Sequence, residues 1–255
     1  YENCCNGRWV EEFGSSSNRC VKNRFAFVAL RLVELVLFLG IVGWSLQASV
    51  ESNEMACYMI YITNWVLVLQ VSYFLLAFLT ARQASLAESG DVPKSSRMPW
   101  FAKGAWVLQD VALPGALLTV ALFWGLLPLL GVEPWLSSYF THGVNFLITI
   151  FDKVVSRQPY YLFHGVYIAL FGFFYMAFTL VYYAAGGTNC KGNRYIYSVV
   201  DWSHPRASEF MMLSLAMLVF PTVNVLFWFL VSQCSPGNRQ PSTGDPTTGK
   251  PTTTL

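Results

Sequence analysis

FAFVALRLVELVLFLGIVGWSL, residues 25 to 46, decides what kind of molecule this is. Only Arg31 and Glu34 carry charge in it, and a helix of this length rises about 33 Å at 1.5 Å per residue. That is enough to cross the roughly 30 Å of hydrocarbon in a bilayer. Five more stretches of similar character follow, approximately 57 to 80, 104 to 127, 135 to 156, 162 to 184 and 209 to 232. The whole chain agrees with them: 55% of its residues are hydrophobic and only 12% are charged, where a soluble domain carries about 25% charged residues. No stretch alternates strictly between apolar and polar as a membrane β-strand does, so backbone polar groups in lipid must be satisfied within helices. The expected fold is an all-α membrane protein, a bundle of six transmembrane helices. The first span is too long for a signal-peptide core and lacks a small-residue cleavage site, so it is expected to be retained.

The net charge of +2 says little, but its distribution sets an orientation, because short loops rich in Lys and Arg stay cytoplasmic. Arg8, Arg19, Lys22 and Arg24 precede span one; Arg82, Lys94, Arg97 and Lys103 lie between spans two and three. Lys153 and Arg157 separate spans four and five, and Arg239 and Lys250 sit in the tail. The loop after span one has Glu51 and Glu54, and the loop after span three has Glu133, without basic partners. Both termini are therefore expected in the cytoplasm, with the loop 185 to 208, which carries Lys191, Arg194 and Arg206, as the one discordant segment.

Residues 1–23 read as a polar cytoplasmic lead, 24–232 as the six-helix transmembrane domain, and 233–255 as a disordered Pro- and Thr-rich cytoplasmic tail that cannot bury enough surface to fold. Pro114 inside span three and Pro128 near its end predict a kink or an early stop. Cys57 and Cys190 both fall on the expected outer side, where a bridge between them and a free thiol at each are both open readings. Cys4 and Cys5 are candidates for palmitoylation. No Cys or His spacing resembles a metal site, and no cofactor or nucleic-acid partner is expected; membrane lipids are the expected partners.

Polar residues inside membrane spans are costly and turn toward the bundle interior, which makes them the first candidates for function. In span four, Ser138, His142, Asn145, Thr149 and Asp152 recur at helical spacing on one face, opposite Val144, Ile148, Phe151 and Val155. Span two offers Thr63, Asn64 and Gln70. Counted from the expected span boundaries, Thr63 and His142 both sit about 10 Å below the outer surface. A hydroxyl and an imidazole at one depth suit a nucleophile and its general base; a structural hydrogen-bonding role for each is the competing reading. Arg31, Glu34, Asp110 and Asp152 form a second cluster, for which a buried ion-pair network centred on Arg31 and Asp152 is favoured over a proton or ion path.

Several short motifs in order, Tyr61-Ile62-Thr63-Asn64-Trp65, His142-Gly143-Val144-Asn145, Gly186-Gly187, Ile196-Tyr197 and Asp201-Trp202-Ser203-His204-Pro205, resemble the rolling stone family of multi-pass membrane proteins. That family takes its name from an insect protein associated with myoblast fusion, which implies a non-enzymatic role in cell adhesion, fusion or differentiation. It is distantly similar to the androgen-induced membrane hydrolases, which cleave fatty acid esters of hydroxy fatty acids with an intramembrane threonine and histidine. By position those would correspond to Thr63 and His142, with Asn64 or Asn145 as supporting polar groups and a lipid ester as substrate. The plasma membrane or the endoplasmic reticulum is the expected location. A transporter built on the charged cluster ranks below both readings, since no repeated halves are evident.

Overall fold

In the computed structural model of the chain, residues 9–17, 21, 23–90, 97–130, 134, 136–214 and 219–234 are described. Cys4, Cys5, Glu133, Lys94 and the tail from 235 onward lie outside the described residues. Among those described there is no strand, only two isolated bridges, Ser16 with Ser156 and Tyr197 with Val200. The helices are α1 (Trp9–Gly14), α2 (Arg24–Glu51), α3 (Ile62–Ser89) and α4 (Trp100–Leu130), then α5 over residues 136–155, α6 (Gly165–Ala184), α7 (Pro205–Ser214) and α8 (Phe220–Cys234).

Among the described residues four helices are long and apolar enough to cross a membrane: Arg24–Glu51, Ile62–Ser89, Trp100–Gly125 and Leu162–Ala184. The other two expected spans are helical where they are described. Residues 136–155 contain a π-helical turn, Phe140–Val144, and the last stretch appears as α7 and α8 with residues 215–218 between them outside the described set.

Two boundaries differ from the sequence expectation. Residues 57 to 60 belong to a short 3-10 turn, Met55–Ile60, so α3 starts only at Ile62. It then continues to Ser89, where Gly90 at φ +87° takes the left-handed cap that a side chain would disfavour. The expected early end of span three is absent: α4 runs unbroken through Pro114 to Leu130. Membrane bundles tolerate a helical proline because neighbouring groups absorb the lost backbone bond.

Small residues let the helices approach closely, as lipid-embedded packing requires. Leu35 and Phe38 of α2 pack with Tyr73, Phe74 and Ala77 of α3 and with Ala105 and Ala112 of α4. The outward faces are apolar at helical spacing: Val33, Val36 and Leu37 on α2, Leu147, Phe151 and Val154 on α5, and Val166, Leu170, Phe173 and Phe174 on α6 are exposed. Val155, expected on that outward face, is instead buried beside Phe27 and Ala81.

The two ends of the bundle are closed differently. At one, Cys57 and Cys190 form a disulfide across a separation of 133 residues. At the other, α1 docks through buried Trp9 and Phe13 against Ala84, Met98 and Ala102. Gly14 sits so close to α3 that an added Cβ would lie 2.1 Å from the Ala84 Cβ. Beyond it, Ser16 and Ser17 donate hydroxyls to the Val155 carbonyl, each at 2.9 Å, and the Ser17 amide adds a third bond at 2.7 Å. The carbonyls that end α5 have no partners within their own helix, and this segment supplies them.

Candidate functional site

Two polar layers occupy the bundle interior. The deeper, charged layer is centred on Asp152 of α5. Arg31 of α2 pairs with one of its carboxylate oxygens and also reaches Glu34 at 3.3 Å, while Tyr73 of α3 donates its hydroxyl to the other oxygen. Gln109 of α4 donates to the Tyr73 oxygen at 3.2 Å and accepts from Lys153 at 3.4 Å; Lys153 also donates to the Gln158 carbonyl. All of these side chains are buried. Charges so placed persist in a low-dielectric interior only when each meets opposite charge or hydrogen-bond partners.

Arg31, Glu34 and Asp152 thus share one site, whereas the fourth member of the expected cluster, Asp110, turns elsewhere. It bonds Nδ1 of His164, whose ring is enclosed by Trp106, Tyr161 and Tyr167 at centroid distances of 5.0 to 5.4 Å. Lys153, His164, Tyr73 and Gln109 were not singled out by sequence reasoning. Lys153 stands where a loop charge is expected, in the last turn before a break. His164 gains significance only from a carboxylate 54 positions away. A signal for Tyr73 existed: it lies one turn beyond Gln70 on the stripe that begins at Thr63.

The second layer is uncharged. Gln70 of α3 donates to Thr149 at 3.0 Å and accepts from Asn145 at 3.4 Å, which makes α3 and α5 direct neighbours. Both Gln70–Thr149 and Tyr73–Asp152 join residues 79 positions apart, so the two helices run side by side in one direction with a constant register. Thr63 and His142 are separated by the same interval.

The π turn, Phe140–Val144, contains His142 itself. Its extra residue, marked by the bond from the Asn145 amide to the Phe140 carbonyl, turns everything before it by about one residue's angle, roughly 100°. Thr141 consequently takes the buried position that ideal helical spacing assigns to His142. The His142 ring stacks on Phe123 of α4, centroids 3.8 Å apart and planes 7° from parallel, and its Nδ1 is enclosed with no hydrogen-bond partner.

Thr63 is half-buried in the first turn of α3, the second residue of the helix rather than about the sixth of the span. The supporting amides are engaged: Asn64 donates to the Tyr58 carbonyl at 2.6 Å, and Asn145 donates to Gln70 while its own oxygen stays unpaired. Ser138 is half-buried.

Around the disulfide the loops are fixed by phenols and amides. Tyr175 donates to the Ile60 carbonyl at 2.7 Å, and the Tyr197 oxygen accepts from the Ile62 amide at 3.1 Å. Burial pushes the Tyr197 hydroxyl up to about 12, so it remains neutral. Asp201 is held below the usual carboxylate range by the Ser203 hydroxyl and amide, which both donate to it. Among the described residues no group of three or more His, Cys, Asp or Glu side chains is arranged to hold a metal ion.

A helical bundle of apolar spans enclosing a paired charged layer and an amide-hydroxyl layer defines a multi-pass membrane protein. The family profile for protein rolling stone matches residues 16–235, and the chain belongs to the rolling stone family. Protein rolling stone of Drosophila melanogaster is 28% identical over 186 residues, covering 68% of this chain and 65% of the relative. The chain thus spans just under two thirds of that relative's length. No solved structure matches.

Proposed function

We propose that this member of the rolling stone family is a six-span membrane protein with the disulfide end outside and both termini cytoplasmic, and that it hydrolyses lipid esters through Thr63 and His142. Its place is the plasma membrane or the endoplasmic reticulum. The observation that supports the reading is His142 itself, which sits in a π turn of α5 with Nδ1 enclosed and without a hydrogen-bond partner, on a helix that runs beside the one whose first turn holds Thr63. Single π turns inside α-helices recur at functional sites. In the reaction, His142 takes the Thr63 hydroxyl proton as the oxygen attacks the ester carbonyl. The alcohol leaves with that proton, and water then releases the acid from the acyl-threonine.

Fluorophosphonate labelling of the purified protein tests this. Labelling of the wild type that is lost in both Thr63→Ala and His142→Ala, at unchanged thermal stability, is the expected result. An unlabelled but folded wild type sinks the hydrolase reading.

A second reading, a non-enzymatic role in adhesion or cell fusion, is favoured by the outer surface, where the disulfide and the Arg194 guanidinium on the Tyr183 ring at 4.7 Å brace the loops. It predicts that Thr63 and His142 are dispensable in a cell-fusion assay while Cys57 and Cys190 are not.

A further inference from the structure

At the charged end of the bundle, between the docked α1 segment and the adjoining ends of α2 and α5, a cavity of about 230 Å³ opens. Its wall carries Ser15, Ser16, Arg24 and Phe27, with the exposed side chains of Glu11 and Arg157 at its rim. One terminal nitrogen of Arg24 pairs with Glu88, while the other is enclosed with no hydrogen-bond partner. A guanidinium nitrogen without an acceptor is costly, and a small movement of the Arg24 side chain, which lines the cavity, would let that nitrogen meet an anionic oxygen there.

Two arginines, a lone carboxylate and an apolar floor together define a ligand. The arginines suit a phosphate, and Glu11 suits a cation attached to that phosphate. Phe27 and the neighbouring exposed Phe25 and Val154 lead from the cavity onto the apolar outer face of the bundle. The volume equals roughly seven to eight water-sized groups at about 30 Å³ each, the bulk of a phosphate bearing a two-carbon amine. Arg24 opens one membrane-spanning helix and Arg157 lies just beyond the end of another, so the cavity sits at the level where headgroups lie.

The structure assigns this cavity to an aminophospholipid headgroup, a phosphate diester carrying a primary ammonium. The arginines hold the phosphate and Glu11 accepts from the ammonium. A quaternary ammonium has no N–H to donate, and a glycerol headgroup brings no cation, so phosphatidylcholine and phosphatidylglycerol each satisfy only part of the site. This assignment is independent of the Thr63 reading.

Its test is thermal unfolding and native mass spectrometry of the full chain in neutral detergent micelles doped, at equal mole fraction, with phosphatidylethanolamine, phosphatidylserine, phosphatidylcholine or phosphatidylglycerol. Either aminophospholipid, or both, is expected to be retained about tenfold better than the other two lipids, the value of one charge-assisted hydrogen bond. Which of the two prevails names the source. Glu11→Gln is expected to abolish the preference over phosphatidylglycerol while phosphate binding persists. Arg157→Gln, an exposed position that folding tolerates, is expected to weaken all four. Equal retention of phosphatidylglycerol and the aminophospholipids by the wild type, or a preference that survives Glu11→Gln, overturns the proposal.

Discussion

The two ends of this bundle solve one problem by opposite means. At the charged end, helices are tied by buried ionic and amide groups from α2, α3, α4 and α5, and by an N-terminal segment that reaches across to cap α5. At the disulfide end, the ties are a covalent bond and phenols or amides that satisfy loop carbonyls. A charged network depends on every member, because removing one leaves its partner buried and uncompensated. A disulfide acts mainly on the unfolded chain, so its loss lowers stability without disorganising the site around it. The difference teaches that the charged end is cooperative and chemically specific, whereas the disulfide end is robust so long as it stays oxidised.

The sharpest way to break this contrast is Arg31→Met, expected to cost about 3–5 kcal/mol in reversible unfolding by denaturing detergent. Adding Asp152→Leu to it is expected to recover part of that loss, since the stranded carboxylate is then gone; a purely additive double variant would contradict a cooperative network. Cys57→Ser comes next, at about 2–4 kcal/mol. Reductant is expected to lower the wild-type melting temperature as far as the substitution does and leave the variant unmoved. Gly14→Ala places a methyl where Ala84 already stands and is expected to cost about 1–3 kcal/mol, read as faster proteolysis within residues 9–17. Thr149→Val removes one interhelical bond of the uncharged layer, at about 0.6–1.7 kcal/mol.

The smallest effect belongs to Asp201 at the disulfide end. Its folded-state ionisation lies below that of an unfolded aspartate, so its contribution is complete above the ordinary carboxylate value and is lost as pH falls through the lowered one. Ser203→Ala is expected to flatten that acid limb by slightly lowering stability near neutral pH while leaving stability at the acid end unchanged.

Much of this architecture was legible from periodicity. The apolar stretches became helices, and the face carrying Asn145, Thr149 and Asp152 is buried because membrane burial and helical spacing dictate one another. What could not be read is anything set by a single inserted residue or a distant partner. The π turn that buries Thr141 in place of His142 leaves the composition of residues 136–155 unchanged. Lys153 looked like a loop charge because sequence position alone cannot show that its ammonium turns back to Gln109 and Gln158. Asp110 was grouped by depth with Arg31, yet the partner its carboxylate meets is His164, 54 positions away.

The seam between Ser16 or Ser17 and the end of α5 joins residues about 138 positions apart. A chain that emerges from the ribosome N-terminus first can dock Trp9 and Phe13 on α3 and α4 early, but Ser16 and Ser17 wait for their acceptor until α5 has been made. The seam is therefore a clock for biogenesis: protection of residues 15–17 from protease dates the moment at which the bundle, rather than any one helix, has come into being.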